Sequence, residues 1–258
     1  MEHTALAEAR VPRLPAVRGT AEGAGVTLAF RATGTGRPAV VVHDLATDAA
    51  AWASALPRLG GQAIAYDRRG YGGSSAPEGY LTTTVEEQAE DLAALLRSLA
   101  CGPALLLGDG FGALVALDVA KRHPALVASL VLADAPLYAF VPAATRALAE
   151  LRAILTAALR EGGPDAAVAA YREAVASPGQ QPEDRAPAAA RAFFADWAGL
   201  SSWPVTRGEL RAIGFPAVVL TRPGAAAHVV AAADALAGLL PAASRVVDGD
   251  PVEIAAAR

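Results

Sequence analysis

The stretch from residue 101 to 120, CGPALLLGDGFGALVALDVA, leaves the backbone few choices. Pro103 to Leu107 is a continuous apolar run of the length of a strand buried on both faces, and from Phe111 onward Leu114, Val115 and Leu117 recur on one side of a helix. Between the two stands Gly108-Asp109-Gly110-Phe111-Gly112, so strand must become helix within one sharp corner. The rest of the chain repeats the same alternation. Val26 to Ala32, Ala39 to Val42, Gln62 to Tyr66 and Ala128 to Ala133 read as strands. Thr84-Val85-Glu86-Glu87 is a capping box, followed by Val85, Leu92, Leu95/Leu96 and Leu99 at helical spacing, and His123 before Pro124 ends the helix that begins at Phe111.

Pro136 to Pro216 interrupts that order: Thr145 to Arg160, Asp165 to Ala176, Pro187 to Leu200 and Thr206 to Ala212 read as helices with no strand among them. The α/β pattern then resumes with a strand at Pro216 to Leu220, a helix at His228 to Leu240 and a last strand at Ser244 to Val247. Residues 1 to 18, rich in proline and charge without periodicity, read as a loosely held arm. The fold class expected is α/β, with a doubly wound, mainly parallel sheet that binds ligands beyond the carboxyl ends of its strands.

Two stretches carry a family resemblance. Gly108 to Gly112 resembles the G-x-S-x-G nucleophile elbow of the α/β-hydrolase superfamily, and Asp67-Arg68-Arg69-Gly70-Tyr71-Gly72-Gly73-Ser74 resembles its D-x-R-G-x-G-x-S loop. The resemblance covers about residues 25 to 250 and points to the capped, esterase- and epoxide-hydrolase-like branch. It implies a core domain of residues 1–135 and 217–258 with a helical cap at 136–216. It also implies that the flanking glycines let strand and helix approach while the middle residue is held out on a strained turn.

That middle residue is Gly110, which has no side chain to act as a nucleophile. The backbone donors of an oxyanion hole would come from the loop His43-Asp44-Leu45, where Asp44 stands in place of the family's glycine, and from Phe111. Asp44, Leu45, Gly110 and Phe111 are therefore the expected ligand-binding or oxyanion residues. The helix starting at Phe111 would turn its N–H groups and positive dipole end toward an anion. A serine triad in this fold runs Ser, acid, His. The histidines are His3, His43, His123 and His228, so none lies between Val229 and Arg258, and the usual acid position falls in Arg222-Pro223-Gly224-Ala225-Ala226, without a carboxylate. Weak substitutes are Asp109 beside the corner, Asp134 after the strand ending at Ala133, His43 and His228. Ser74 and Ser75 suit turn duty, and Asp250 before Pro251 suits the start of a helix.

Composition narrows the partner. Hydrophobic residues make up 53% of the 258 and charged residues 19%, which excludes disorder, and a net charge of −4 with scattered basic residues excludes an electrostatic footprint for nucleic acid or an anionic membrane. No apolar run spans a bilayer and no signal peptide is evident, so a cytoplasmic location is expected. The single Cys101 reads as a buried thiol. No metal or cofactor is called for, and the expected partner is a small molecule. The segment 136–216 carries Phe140, Tyr171, Phe193, Phe194, Trp197 and Trp203, which either roof an apolar pocket or pack among themselves; Trp197, Trp203 and Phe140 are the expected pocket residues. Three functions remain open: non-covalent catalysis of the cyclase, isomerase or lyase kind on an apolar carbonyl compound, ligand binding or scaffolding without catalysis, and ester hydrolysis with another nucleophile.

Overall fold

Eight strands form one sheet in the order β1-β2-β4-β3-β5-β6-β7-β8: β1 (Val17–Glu22), β2 (Thr27–Thr33), β3 (Pro38–Val42), β4 (Gln62–Tyr66), β5 (Ala104–Asp109), β6 (Val127–Ala133), β7 (Ala217–Leu220) and β8 (Ala243–Val246). The computed structural model describes residues 16–176, 190–200 and 202–258. β1 pairs antiparallel with β2 and β2 with β4, and every later pairing is parallel. The doubly wound, mainly parallel sheet expected from the alternating pattern is therefore present.

β5 lies at the middle of the sheet and is buried at all its positions, as its unbroken apolar sequence requires. It runs directly into α2 (Phe111–Arg122). The two outer glycines of the corner have separate tasks: a Cβ on Gly108 would overlap the Ala113 backbone, and one on Gly112 would overlap the Val42 carbonyl. Strand, helix and neighbouring β3 can pack this closely only because both residues lack that atom.

α1 (Val85–Ser98) starts at the expected capping box: the Thr84 hydroxyl accepts from the Glu87 N–H at 3.1 Å, and the Glu87 carboxylate accepts from the Thr84 N–H at 3.0 Å. Thr84→Ala should lower stability by about 1 kcal/mol, the usual cost of losing such a cap, measured as a shift in thermal midpoint. No shift would mean that packing alone sets where α1 begins.

Between β6 and β7 the chain forms α3 (Pro142–Val175), α4 (Ala190–Leu200) and α5 (Arg207–Arg211), with no strand among the described residues of that segment. The two helices expected at 145–160 and 165–176 are both present within Pro142–Val175, separated at Gly163, whose φ of +79° and ψ of −170° are not helical, with Pro164 following it. α6 (Ala227–Leu239) and α7 (Pro251–Ala256) complete the fold. The Asp250 side chain accepts from the Val252 N–H at 2.7 Å and starts α7, which accounts for the Asp-Pro pair.

β1 was not expected: its residues fall partly in the presumed arm. Only Ala21 of the six is buried, so the strand carries almost no hydrophobic alternation and is held by its ladder to β2. The rest of the arm, residues 1–15, and the start of the helix expected at Pro187 lie outside the described residues.

Candidate active site

The loop leaving β3 carries His43, Asp44 and Leu45 to the carboxyl end of the sheet, beside the corner at Gly110. His43 is held on both ring nitrogens: Nε2 accepts from the Arg68 backbone N–H at 3.0 Å, so Nδ1 bears the hydrogen and donates to the Asp44 carbonyl at 2.8 Å. Burial, aided by the positive charge of Arg68, holds its pKa well below the usual histidine range. A neutral imidazole fixed in this way shapes the loop and has no nitrogen left to act as a base.

Arg68 completes the same frame. Its guanidinium donates to the His43 and Asp44 carbonyls at 3.0 and 3.1 Å, and pairs at 2.6 Å with Asp196 of α4, both side chains being almost fully buried. Asp196 also accepts from the Tyr71 hydroxyl at 2.8 Å. In the same loop Asp67 takes the backbone N–H groups of Ala49 and Gly73, while Arg69 pairs with Asp91. The aspartate and arginines of the D-x-R-G motif thus have separate partners. Ser74 and Ser75 accept from the Ala29 and Thr27 N–H groups, so in place of the turn role expected of them their hydroxyls tie this loop to β2.

Asp44 does what the sequence did not foretell. Its Oδ1 accepts from the Phe111 N–H at 2.7 Å, and its carboxylate also accepts from the Leu45 N–H. These are the two backbone donors expected to face a ligand's oxyanion, and the protein's own carboxylate occupies both. Gly110 makes room for it: a Cβ there would overlap the Asp44 carboxylate. Gly110 has φ +50° and ψ −118°, so the corner has the strained backbone of an elbow, and its own N–H donates to the Ala133 carbonyl at 2.9 Å. The expectation of open donors at Leu45 and Phe111 is corrected on this point, because an anionic side chain within reach satisfies them first.

Burial, and next the negative charge of Asp109, push the Asp44 carboxyl up to about 6, against the opposing pull of its two N–H donors and Arg68. Asp109 and Asp134 share one cation. Arg222 Nη1 lies 2.7 Å from Asp109 Oδ1 and 2.6 Å from Asp134 Oδ2, and the Arg222 N–H donates to Asp134 Oδ1 at 3.1 Å. Asp134 was expected to have nothing to orient; it binds the arginine that follows β7, where the family's acid was sought. Arg222 was legible there only as the lack of a carboxylate.

Asp44, Asp109, Asp134 and Arg222 line a cavity of about 330 Å³, together with Gly110, Leu45 and His228. Tyr138, Tyr171, Glu150 and the apolar side chains Leu151, Ile154, Val175 and Leu200 supply other parts of its wall. The aromatic lining differs from expectation. Trp203 faces a second, smaller cavity and donates from Nε1 to Asp118 at 3.0 Å; Trp197 packs on Phe193 and Tyr171 with ring centroids 6.1 and 6.0 Å away; Phe140 lies under the Arg207 guanidinium at 4.7 Å. Trp197 and Phe140 therefore pack within the insertion and Trp203 docks it on α2, and of the expected aromatics Tyr171 alone lines the larger cavity, joined by Tyr138. Among the described residues no three His, Cys, Asp or Glu side chains are grouped to hold a metal ion, and no helix is long and apolar enough to cross a membrane.

The family described as alpha/beta hydrolase fold matches residues 37–154. The 2-(acetamidomethylene)succinate hydrolase of Mesorhizobium japonicum is 36% identical over 112 residues, 42% of this chain and 39% of that protein. The pimeloyl-[acyl-carrier protein] methyl ester esterase of Sodalis glossinidius is 41% identical over 109 residues, 41% of this chain and 40% of that protein. The match therefore spans about two fifths of the length of these curated relatives. In three dimensions, a thermophilic esterase from Thermogutta terrifontis superposes with a TM-score of 0.73 at 24% identity, over 90% of this chain and 89% of that one.

Proposed function

We propose, for a chain that has the α/β-hydrolase fold, that it binds a small, largely apolar carbonyl compound in the cavity under a helical cap and acts on it by proton transfer through Asp44, without an acyl-enzyme. The observation that carries this reading is the position of the Asp44 carboxyl: held by the Leu45 and Phe111 N–H groups, open to the cavity, and titrating at about 6. No hydroxyl stands at Gly110, and the oxyanion donors of an acyl transfer are taken. The reaction that remains is one that needs an acid and base rather than a nucleophile. A carboxyl with its pKa near neutrality suits both tasks, because each protonation state is populated at ordinary pH.

In such a reaction ionised Asp44 takes a proton from the carbon next to the substrate carbonyl, and the electron pair of that C–H bond moves into an enolate. Tyr138 is neutral, its pKa raised by burial and by the charge of Asp44, so its hydroxyl can donate to the enolate oxygen. Where the substrate has a β,γ double bond the product of this step is a dienolate, and protonated Asp44 returns the proton to the γ-carbon as the double bond moves into conjugation, which is an isomerisation. Where a group leaves from the β-carbon instead, the same first step gives a lyase. Arg222 keeps Asp109 and Asp134 in place beside Asp44.

The test is hydrogen–deuterium exchange in D2O, read by NMR, on a panel of five- to eight-carbon ketones and aldehydes. Wild-type protein should accelerate exchange of the α-hydrogens, with a rate that rises as pH passes through about 6 because the base is the ionised form. Asp44→Asn should lower it by a factor on the order of 10² to 10⁴. Exchange no faster than in buffer would leave a binding protein without turnover, and labelling by a serine-directed fluorophosphonate would reject the reading in favour of ester hydrolysis.

A further inference from the structure

We propose that the carbonyl compound bound in this cavity is an organic cation, carrying an ammonium on its apolar chain, rather than the anion or neutral ester that an open oxyanion hole would receive. This rests on the reading of the Asp44 cavity as the ligand site. Four carboxylates line it, Asp44, Asp109, Asp134 and Glu150, against Arg222 and His228. The charge of Arg222 is largely balanced in place, since its Nη1 is shared by Asp109 and Asp134. Four carboxylates thus face two basic side chains.

A second observation is independent of charge. Tyr171 is 6% exposed and lines the cavity, yet its hydroxyl has no hydrogen-bond partner among the described residues. The hydroxyl is not sealed away from solvent as those of Tyr66, Tyr80 and Ser129 are, so it is open to a ligand in the cavity, and its oxygen can accept from an ammonium N–H. The donors that would favour an anion, the Leu45 and Phe111 N–H groups, point instead at Asp44, whose negative charge repels one. Leu151, Ile154, Val175 and Leu200 give the apolar chain its surface.

Binding of three probes of one chain length, n-hexylammonium, n-hexanol and hexanoate, measured by titration calorimetry at pH 7.5 on the full chain, decides the matter. Hexylammonium should bind roughly tenfold or more tightly than hexanol, the size of one charge-assisted hydrogen bond, and hexanoate should bind weakest. Tyr171→Phe should reduce hexylammonium affinity several-fold and hexanol affinity by less, since only the first bond is charge-assisted. Equal binding of hexanol and hexylammonium, or a preference for hexanoate, would overturn the cation while leaving the cavity reading intact. No binding by any probe would overturn both. The exchange experiment on Asp44 reports on proton transfer independently of these three.

Discussion

Gly110→Ser is expected to cost about 2.5 to 6 kcal/mol of stability, and most of the part beyond backbone strain should return when Asp44→Gly is made in the same chain. Two effects add. The backbone of residue 110, at φ +50° and ψ −118°, lies in a region that costs a non-glycine residue of order 1 to 3 kcal/mol. The new Cβ would also overlap the Asp44 carboxylate, which must leave its place against the Phe111 N–H. Losing a hydrogen bond to a charged group costs about 1.5 to 3 kcal/mol. With Asp44→Gly the overlap disappears and only the backbone cost remains. A double-mutant cycle by urea denaturation should therefore show a coupling of about 1.5 to 3 kcal/mol between the two positions. Additive costs would mean that Asp44 does not occupy the space beside Gly110. Seen from the sequence alone, the same substitution costs only the backbone strain.

The second large effect belongs to the buried pair that ties the inserted helices to the site. Arg68 and Asp196, 2.6 Å apart, have side chains 1% and 0% exposed, and Arg68 also holds the carbonyls of His43 and Asp44. Asp196→Ala leaves a guanidinium buried with no opposing charge beside it, and removing one partner of such a pair costs about 3 to 5 kcal/mol. Against total stabilities of about 5 to 15 kcal/mol this removes a large fraction of the margin. The double variant Arg68→Met with Asp196→Leu should recover much of the loss, because two apolar side chains of similar volume do not have to be desolvated as charges. A loss below about 1 kcal/mol for Asp196→Ala would show that water reaches Arg68, and that α4 is not anchored through this pair.

Asp44 also gives stability a pH dependence. Its folded pKa of about 6 lies above that of an unfolded aspartate, near 3.9, so the folded state binds the proton more tightly. Its contribution is fully present below pH about 4 and is lost as pH rises through about 6. Asp44→Asn should remove that step from a plot of unfolding free energy against pH, without changing the slopes set by other groups.

The local geometry was legible in the amino-acid sequence because local residues dictate it. Gly108 and Gly112 fix the close approach of β5 and α2, Thr84 and Glu87 fix the start of α1, and the alternation of apolar runs fixes a mainly parallel sheet; each is a constraint between residues a few positions apart. β1 escaped because an edge strand with one buried residue leaves no periodic trace. The site was decided elsewhere. Asp44 could be read as a departure from the family's glycine, and Gly110 as a departure from its serine, but their connection spans 67 positions from Asp44 to Phe111. Only the folded chain brings a carboxylate into the space that a missing Cβ leaves free. Likewise the aromatic residues of the insertion were visible as a set, while tertiary packing turned Trp197 and Trp203 away from the larger cavity and put Tyr138 and Tyr171 on its wall. Sequence specifies the turns and periods that single backbone segments must obey. Which side chains meet in a site depends on how distant segments fill one volume, and here on one side chain filling the space another position gave up.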